Sequence, residues 1–236
     1  MTPQRILVVN ADDFGRSAGV NRGVIEAHER GIVTSASLMV RYPPAAGAAE
    51  YARGRPQLGV GLHVDLGEWA YEDGEWHAVY ELDDTGAEVQ RQLERFRDLL
   101  DADPTHLDSH QHAHRDEPGR SVLRALAGEL GVPLRHVTPG VSYCGGFYGQ
   151  TDEGEALPEN ISVEALSELL RGLSPGATEL CCHPASTIDF ETAYGEPRLL
   201  ELEALCAPSL RALIDAEGIE LRSFRDVVLS TGSTSR

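Results

Sequence analysis

Short apolar, β-branched runs alternate along this chain with longer stretches whose apolar residues recur at helical spacing. That alternation is the signature of repeated βα units around a largely parallel sheet. Residues 5–10 read as a buried strand, and Ser17 then caps a helix on Val20, Val24 and Ala27 that Gly31 ends. Further strands are predicted over residues 32–40, 58–64, 105–109, 133–137 (the weakest), 178–182 and 219–222. Helices are predicted on the Ala-rich segment 45–53, on Val89, Leu93, Phe96 and Leu100, and on Val122, Leu126 and Leu130 up to Gly131. Ser162 caps another on Val163, Leu166 and Leu170, and Leu199, Leu202, Cys206, Leu210 and Leu213 mark the longest. The polar stretch 67–85, with Trp69, Tyr71 and Trp76, reads as a loop insertion, residues 138–160 as a Gly-rich loop, and the tail 230–236 as frayed. Seven or so strands with intervening helices and no linker predict one α/β domain over residues 1–236, a TIM-like (β/α) barrel, complete or slightly irregular.

Composition narrows the chemistry. The chain has 236 residues, 38 acidic side chains against 20 basic ones and a net charge of -18 with histidine neutral; every basic residue is arginine. Without lysine there is no Schiff base, no pyridoxal phosphate anchor and no P-loop amine. The acidic balance leaves no basic face for a phosphate backbone or an anionic membrane, so no nucleic-acid partner is expected. Apolar runs such as 6–9 and 37–40 fall far short of the roughly 20 residues that span a bilayer, so no membrane insertion is expected. The chain enters its first strand without a signal-peptide pattern, and its four cysteines lack both CxxC spacing and disulfide-scaffold density. Both features lead to the expectation of a cytoplasmic, reducing location.

Reactive side chains cluster at predicted strand ends. Asp12 and Asp13 follow the first strand, His63 ends the third, His106, Asp108, His110 and His112 mark the fourth, and His183 follows Cys182. In a barrel these C-terminal ends share the face on which active sites are built. On an extended strand, residues two apart point the same way, so His106, Asp108, His110 and His112 are expected to project together. Imidazoles with one carboxylate suit zinc, cobalt, nickel or manganese and leave coordination positions open for water and substrate. Adjacent carboxylates point in different directions, so one of Asp12 and Asp13 can bind a metal while the other accepts a proton. Each feature has a structural competitor: Asp12-Asp13 as a turn with a helix cap, His63 as a hydrogen-bonded core histidine, His183 as a loop residue. The histidine series from His106 to His114 is the hardest to explain by packing alone. Trp69, Tyr71 and Trp76 fit either a packed cover on the barrel mouth or a stacking surface for a sugar ring.

Five motifs in this order resemble the YdjC-like carbohydrate deacetylase family, which includes chitooligosaccharide and hopanoid-associated sugar deacetylases. They are Asn10-Ala-Asp-Asp-Phe-Gly15, Gly61-Leu-His63, Pro104-Thr-His-Leu-Asp-Ser-His-Gln-His-Ala-His114, Cys182-His-Pro184 and Pro197-Arg-Leu-Leu-Glu-Leu202. The resemblance implies a (β/α) barrel hydrolase that removes the acetyl group from an N-acetylated sugar or oligosaccharide with one divalent ion. Magnesium or zinc is the expected ion, with cobalt, nickel and manganese as alternatives. Carried over residue by residue, it implies Asp13, His63 and His110 as metal ligands, Asp12 as base and His183 as general acid. His106, Asp108 and His112 are alternative ligands or their supports, and Trp69, Tyr71 and Arg198 are expected at the substrate. Gln111 departs from the family by replacing an extra histidine, and residues 68–85 are compact and acidic, a departure that bears on the length of the sugar. The competing expectations are another metal-dependent barrel hydrolase, a phosphoesterase or amidohydrolase, and a sugar-binding protein without turnover. A homodimer through aromatic loops near the mouth is a further expectation.

Overall fold

The structure is a computed structural model and describes residues 4–231. It begins with β1 (Arg5–Phe14), α1 (Ala18–Glu29), β2 (Ser35–Leu38), α2 (Ala45–Arg53), β3 (Gly59–Val64), β4 (Gly67–Glu72), β5 (Glu75–Glu81) and α3 (Thr85–Leu100). There follow β6 (Leu107–Ser109), a 3-10 turn (His110–Arg115), α4 (Gly119–Leu130), β7 (Val141–Cys144) and α5 (Val163–Arg171). The chain closes with β8 (Gly176–Cys182), α6 (Glu196–Leu205), α7 (Pro208–Ala216), β9 (Ile219–Leu221) and α8 (Phe224–Thr231). Ser17 and Ser162 cap α1 and α5 as expected, accepting from Val20 N and Ala165 N.

Seven strands form one parallel sheet in the order β6-β3-β2-β1-β8-β7, with β9 beside β1. Strand β1 is longer than its neighbours, so one edge holds two partners in line: β9 along Arg5, Ile6 and Leu7, then β2 from Asn10 onward. Its other edge pairs with β8 from Arg5 to Ala11. The predicted (β/α) barrel is thus present as a curled half-barrel. Beside β6, residues 133–137 make a single bridge, Leu134 to Leu107, in place of the expected strand. Val137 N and Thr138 N both donate back to Leu134 O, and Pro133 has no N–H to give, so the segment closes into a turn.

Three other expectations change. Residues 67–85 are largely a β-hairpin, β4 against β5, whose two-residue Asp73-Gly74 turn has φ of 51° and 87°. Asp-Gly with both residues left-handed is the favoured hairpin turn, so the signal was present in the sequence. The Gly-rich stretch 138–160 contains β7, which extends the sheet beyond β8. The longest predicted helix is two helices, because Pro208 holds Ala207 in an extended conformation (φ -64°, ψ 123°) and starts α7 afresh. Strand β2 is also shorter than predicted, and of the tail only residues 230 and 231 fall within the described chain, as the end of α8. No described helix is long and apolar enough to cross a membrane.

Alternation along β1 sorts its side chains. Leu7, Val9 and Ala11 join the main core with Val20, Val24 and Ala27 of α1. Ile6 and Val8 face the concave side, where Phe224 and Val227 of α8 cover them. Continuing by two, Asn10 and Asp12 stand on that same concave side above this plug. The bottom of the half-barrel is therefore dry and its top polar. Phe224 is 2% exposed and stacks on His106 with ring centroids 4.1 Å apart. Replacing Phe224 with alanine is expected to destabilise the fold by about 3–5 kcal/mol, read from urea denaturation.

Candidate active site

Registered pairing carries the period-two pattern across the sheet. Asn10 lies beside Ser35 and Cys181, Ser37 beside Gly61, and His63 beside Asp108, so polar side chains from five strands meet on the concave face. At their centre is Arg135, from the turn that follows β6. Its guanidinium grips Asp12 with two bonds of 2.6 and 2.7 Å, and reaches Asp108 at 2.9 Å and Glu179 at 2.7 Å. All four side chains are buried. Ser37 donates to Asp108 at 2.5 Å, and Asn10 donates to Asp12 at 2.9 Å. Burial opposes ionisation of Asp12 and Asp108, but Arg135 outweighs it and holds both below the ordinary carboxylate range. Glu179, the third claimant on one cation, is instead pushed up to about 7 by burial, with Asp108 and Asp12 adding to the effect against Arg135.

Asp13 leaves the alternation. Its left-handed backbone (φ 63°) turns its carboxylate toward a second group of side chains. Asp13 Oδ1 lies 3.4 Å from His63 Nε2 and 3.2 Å from His110 Nδ1, while Arg198 donates to Oδ2 at 2.5 Å. The other nitrogen of His63, Nδ1, is 2.7 Å from Asp108 Oδ1, which fixes the ring with Nε2 toward Asp13. Asp13 Oδ1 is buried without a hydrogen-bond partner although two imidazole nitrogens surround it. The three donor atoms thus lie within 4.8 Å of one another. The electrostatics agree: burial should strip charge from His63, yet Asp108 and Asp12 raise it to about 10. His110 is also raised against its burial, by Asp13 and Glu68. A pocket that charges two buried imidazoles favours positive charge, and one carboxylate with two imidazoles is a donor set that a divalent ion fits.

His183 follows β8 at the opposite side of Asp12. Its Nε2 lies 3.9 Å from Asp12 Oδ2, and its Nδ1 lies 3.8 Å from Glu201 Oε1 of α6. The His183 backbone N–H donates to Glu201, as does the Tyr194 hydroxyl, so a fully buried carboxylate sits behind the imidazole. Tyr148 and Tyr194 stack with centroids 4.4 Å apart, and each meets the His183 ring edge-on.

The structure therefore brings together Asp12, Asp13, His63, Asp108, His110 and His183. His106 stands apart from the Asp13 group. Its ring packs where a Cβ on Gly61 would come within 2.5 Å, its Nε2 meets Ser37 Oγ at 3.0 Å, and burial pushes it down to about 4. His106 and Asp108 do project alike, as expected, but the strand stops at Ser109 and left-handed Gln111 and His112 (φ 47° and 54°) turn the chain. His112 consequently points to Tyr143 and away from Asp13. Arg198, expected at the substrate, is 4% exposed and bonded to Asp13. Trp69 and Tyr71 ride on the hairpin: Trp69 exchanges two backbone bonds with the Gln111 side chain, both 2.8 Å, and Tyr71 pairs with Trp76 at 5.5 Å. Glu68 of the same strand reaches His110 at 3.9 Å and Arg16 at 2.7 Å. Sequence reasoning missed Arg135, Glu179, Glu68 and the role of Glu201. Only Glu201 carried a signal, within the Pro197 to Leu202 motif.

Fold and site together define a parallel half-barrel with a carboxylate–histidine centre at the C-terminal ends of its strands. The YdjC-like protein family matches residues 6–216, and the chain belongs to that family. It is 36% identical to the chitooligosaccharide deacetylase of Serratia marcescens over 262 residues, covering 95% of this chain and 100% of the relative. The corresponding enzyme of Klebsiella pneumoniae (strain 342) is 34% identical over 256 residues, with the same coverage. Among solved structures, a cellobiose-phosphate cleavage candidate from Enterococcus faecalis V583 superposes with a TM-score of 0.73 at 27% identity, over 95% of this chain and 99% of that one. A family 4 carbohydrate esterase from Streptomyces lividans in complex with acetate gives a TM-score of 0.52 at 12% identity, over 94% and 93% of the two chains, a likeness of fold.

Arg135 is the cation that buried Asp12 and Asp108 require. Arg135→Ala is expected to cost about 3–5 kcal/mol at neutral pH. Because both carboxylates have depressed folded-state values, that stability is present above the ordinary carboxylate range and is lost as pH falls from that range to the lower folded-state values. The deficit of the variant should accordingly shrink in acid, measured by denaturant unfolding across pH. Glu179 behaves in the opposite sense: it stays protonated in the folded state up to about pH 7 but ionises near 4.5 when unfolded, so wild-type stability falls between those values. Relative to wild type, Glu179→Gln should gain on the order of 3 kcal/mol as pH rises through that window; a pH-independent difference would refute the shifted titration.

Proposed function

We propose that this chain hydrolyses the acetamide of an N-acetylated amino sugar, releasing acetate and the free amine, with one divalent ion held by Asp13, His63 and His110. The observation that carries the reading is the grouping of Asp13 Oδ1, His63 Nε2 and His110 Nδ1 within 4.8 Å of one another beside the facing pair Asp12 and His183. The relatives named chitooligosaccharide deacetylase support an acetylated saccharide as the substrate class. A divalent ion there supplies Lewis-acid polarisation of the amide carbonyl and acidifies water.

The chain's own residues do the rest. Arg135 keeps Asp12 anionic, so its carboxylate is free of a proton and can accept one from the attacking water. The water oxygen bonds to the acetyl carbon as that proton moves to Asp12. An unprotonated amine leaves poorly, so a proton must reach the sugar nitrogen as the C–N bond breaks. His183, across from Asp12 and 20% exposed at its side chain, is placed to deliver it. Arg198 holds Asp13 by its second oxygen, and Asp108 sets the His63 ring. Asp108 is thus a support to a ligand, as is Ser37 through it. Trp69 and Tyr71, on the hairpin joined to the His110 turn, offer ring surface to the saccharide.

The test is acetate release from N-acetylated mono-, di- and oligosaccharides with magnesium, zinc, cobalt, nickel or manganese added singly. Asp12→Asn is expected to retain the ion and lose turnover by about 10²–10⁴-fold, whereas Asp13→Asn should lose ion and turnover together. Undiminished turnover in Asp12→Asn would overturn the base, and silence of the wild type across the whole screen would overturn the reaction.

A further inference from the structure

A second group of donors lies outside the Asp13 centre, behind Tyr143. His112, His114 and His136 each offer an imidazole nitrogen within 4.8 Å of the others. They come from two separate segments, the 3-10 turn after β6 and the turn that carries Arg135. Nothing in the reaction above uses them; their rings pack on one another and on Tyr143.

Two of the three rings are fixed by a partner on one nitrogen and left bare on the other. Ser109 Oγ lies 2.7 Å from His114 Nδ1, while His114 Nε2 is buried without any partner. Tyr143 OH lies 3.2 Å from His112 Nε2, while His112 Nδ1 is likewise buried and bare. His114 is 1% exposed, so its bare nitrogen is shielded from bulk solvent. Leaving a buried polar atom unmatched costs about 1–3 kcal/mol, and this cluster leaves two. A hydrogen bond on one imidazole nitrogen with the other kept free is the arrangement by which proteins orient metal-binding histidines. The backbone adds a further cost: His112 and His136 hold φ of 54° and 62°, a region that residues with a Cβ seldom occupy. His136, the exposed member, leaves a path for entry and a position open to solvent. Arg135, a buried cation whose charge reaches all three rings, is matched by Asp12, Asp108 and Glu179.

We propose that His112, His114 and His136 form a second metal site, separate from the Asp13, His63 and His110 centre, that takes a zinc-like divalent transition ion through three imidazoles with a water completing the shell. Three neutral nitrogen donors without a carboxylate favour zinc, cobalt, nickel or copper and disfavour magnesium and calcium, which need oxygen ligands. The ion would tie the turn after β6 to the turn carrying Arg135. The site is independent of the reaction assigned to the first centre and stands if that reading fails.

The experiment uses the full chain stripped by chelator and then titrated at neutral pH with Co²⁺ alone and with Zn²⁺ alone. Bound ions per chain are counted by equilibrium dialysis and metal analysis, and Co²⁺ is followed by its visible absorption. Wild type should bind two Co²⁺ or Zn²⁺, and His136→Ala one. Since His136 is exposed, its variant should keep the wild-type circular dichroism and thermal transition in the absence of metal. His114→Gln, made as a second probe, should weaken the same ion by more than tenfold. Asp13→Asn should retain the histidine-cluster ion, and Asp13→Asn combined with His136→Ala should retain neither. Magnesium should not occupy this site at concentrations that saturate zinc. Wild-type stoichiometry in His136→Ala, or a single wild-type ion that only Asp13→Asn removes, would overturn the proposal. Retention of both ions in Asp13→Asn would instead count against the first centre and leave the second standing.

Discussion

One guanidinium carries the interior of this half-barrel. Arg135 is shared by Asp12 from β1, Asp108 from β6 and Glu179 from β8, strands whose side chains meet because the sheet curls, β3 and β2 standing between β6 and β1. Burying any of these carboxylates alone would cost several kcal/mol, and one cation offsets that cost for two of them while Glu179 keeps its proton near neutrality. The same contact keeps Asp12 ionised and pins Asp108, which in turn sets His63 against Asp13. The placement of Asp12 and that of the Asp13 group are thus coupled through a residue that belongs to no strand or helix.

A second constraint acts at the rim. Glu68 of the hairpin meets Arg16 and approaches His110, and Trp69 is bonded to Gln111 through its backbone. These contacts hold the hairpin against the turn that presents His110. The hairpin's outer residues, Trp76 and Val79, remain exposed.

Much of the fold was legible because it rests on local spacing. Ser17 and Ser162 cap their helices, Gly131 ends α4, and the apolar periods of α1, α3, α4 and α5 place those helices correctly. Expectations failed where one residue overrides a period or where pairing is remote. Pro208 divides a continuous apolar stripe, and Asp73-Gly74 makes a hairpin from residues too polar to read as strands. Strand β7 forms within a Gly-rich segment because β8 offers it an edge, which no property of the segment announces. At the site, Asp12, Asp13, His63, His110 and His183 stood out because strand ends on one face concentrate reactive groups. Arg135 did not, since an arginine in a weak turn looks like any other surface cation until three buried carboxylates are seen to need it.

The alternation of strand and helix, the polar residues at strand ends and the exclusion of lysine-based amine chemistry can be read from the sequence without its fold. Those are properties of single residues and their near neighbours. Tertiary structure alone decided which histidines share a point. Period two along the fourth segment would have kept His106, Asp108, His110 and His112 together, but the strand ends at Ser109 and the chain turns from His110, with Gln111 and His112 left-handed, so the histidines reach three places. His106 went to Ser37, His110 to Asp13 and His112 to Tyr143. Which turn ends a strand depends on what its neighbours can pair with and pack against, and that is settled only when the whole sheet has closed around them.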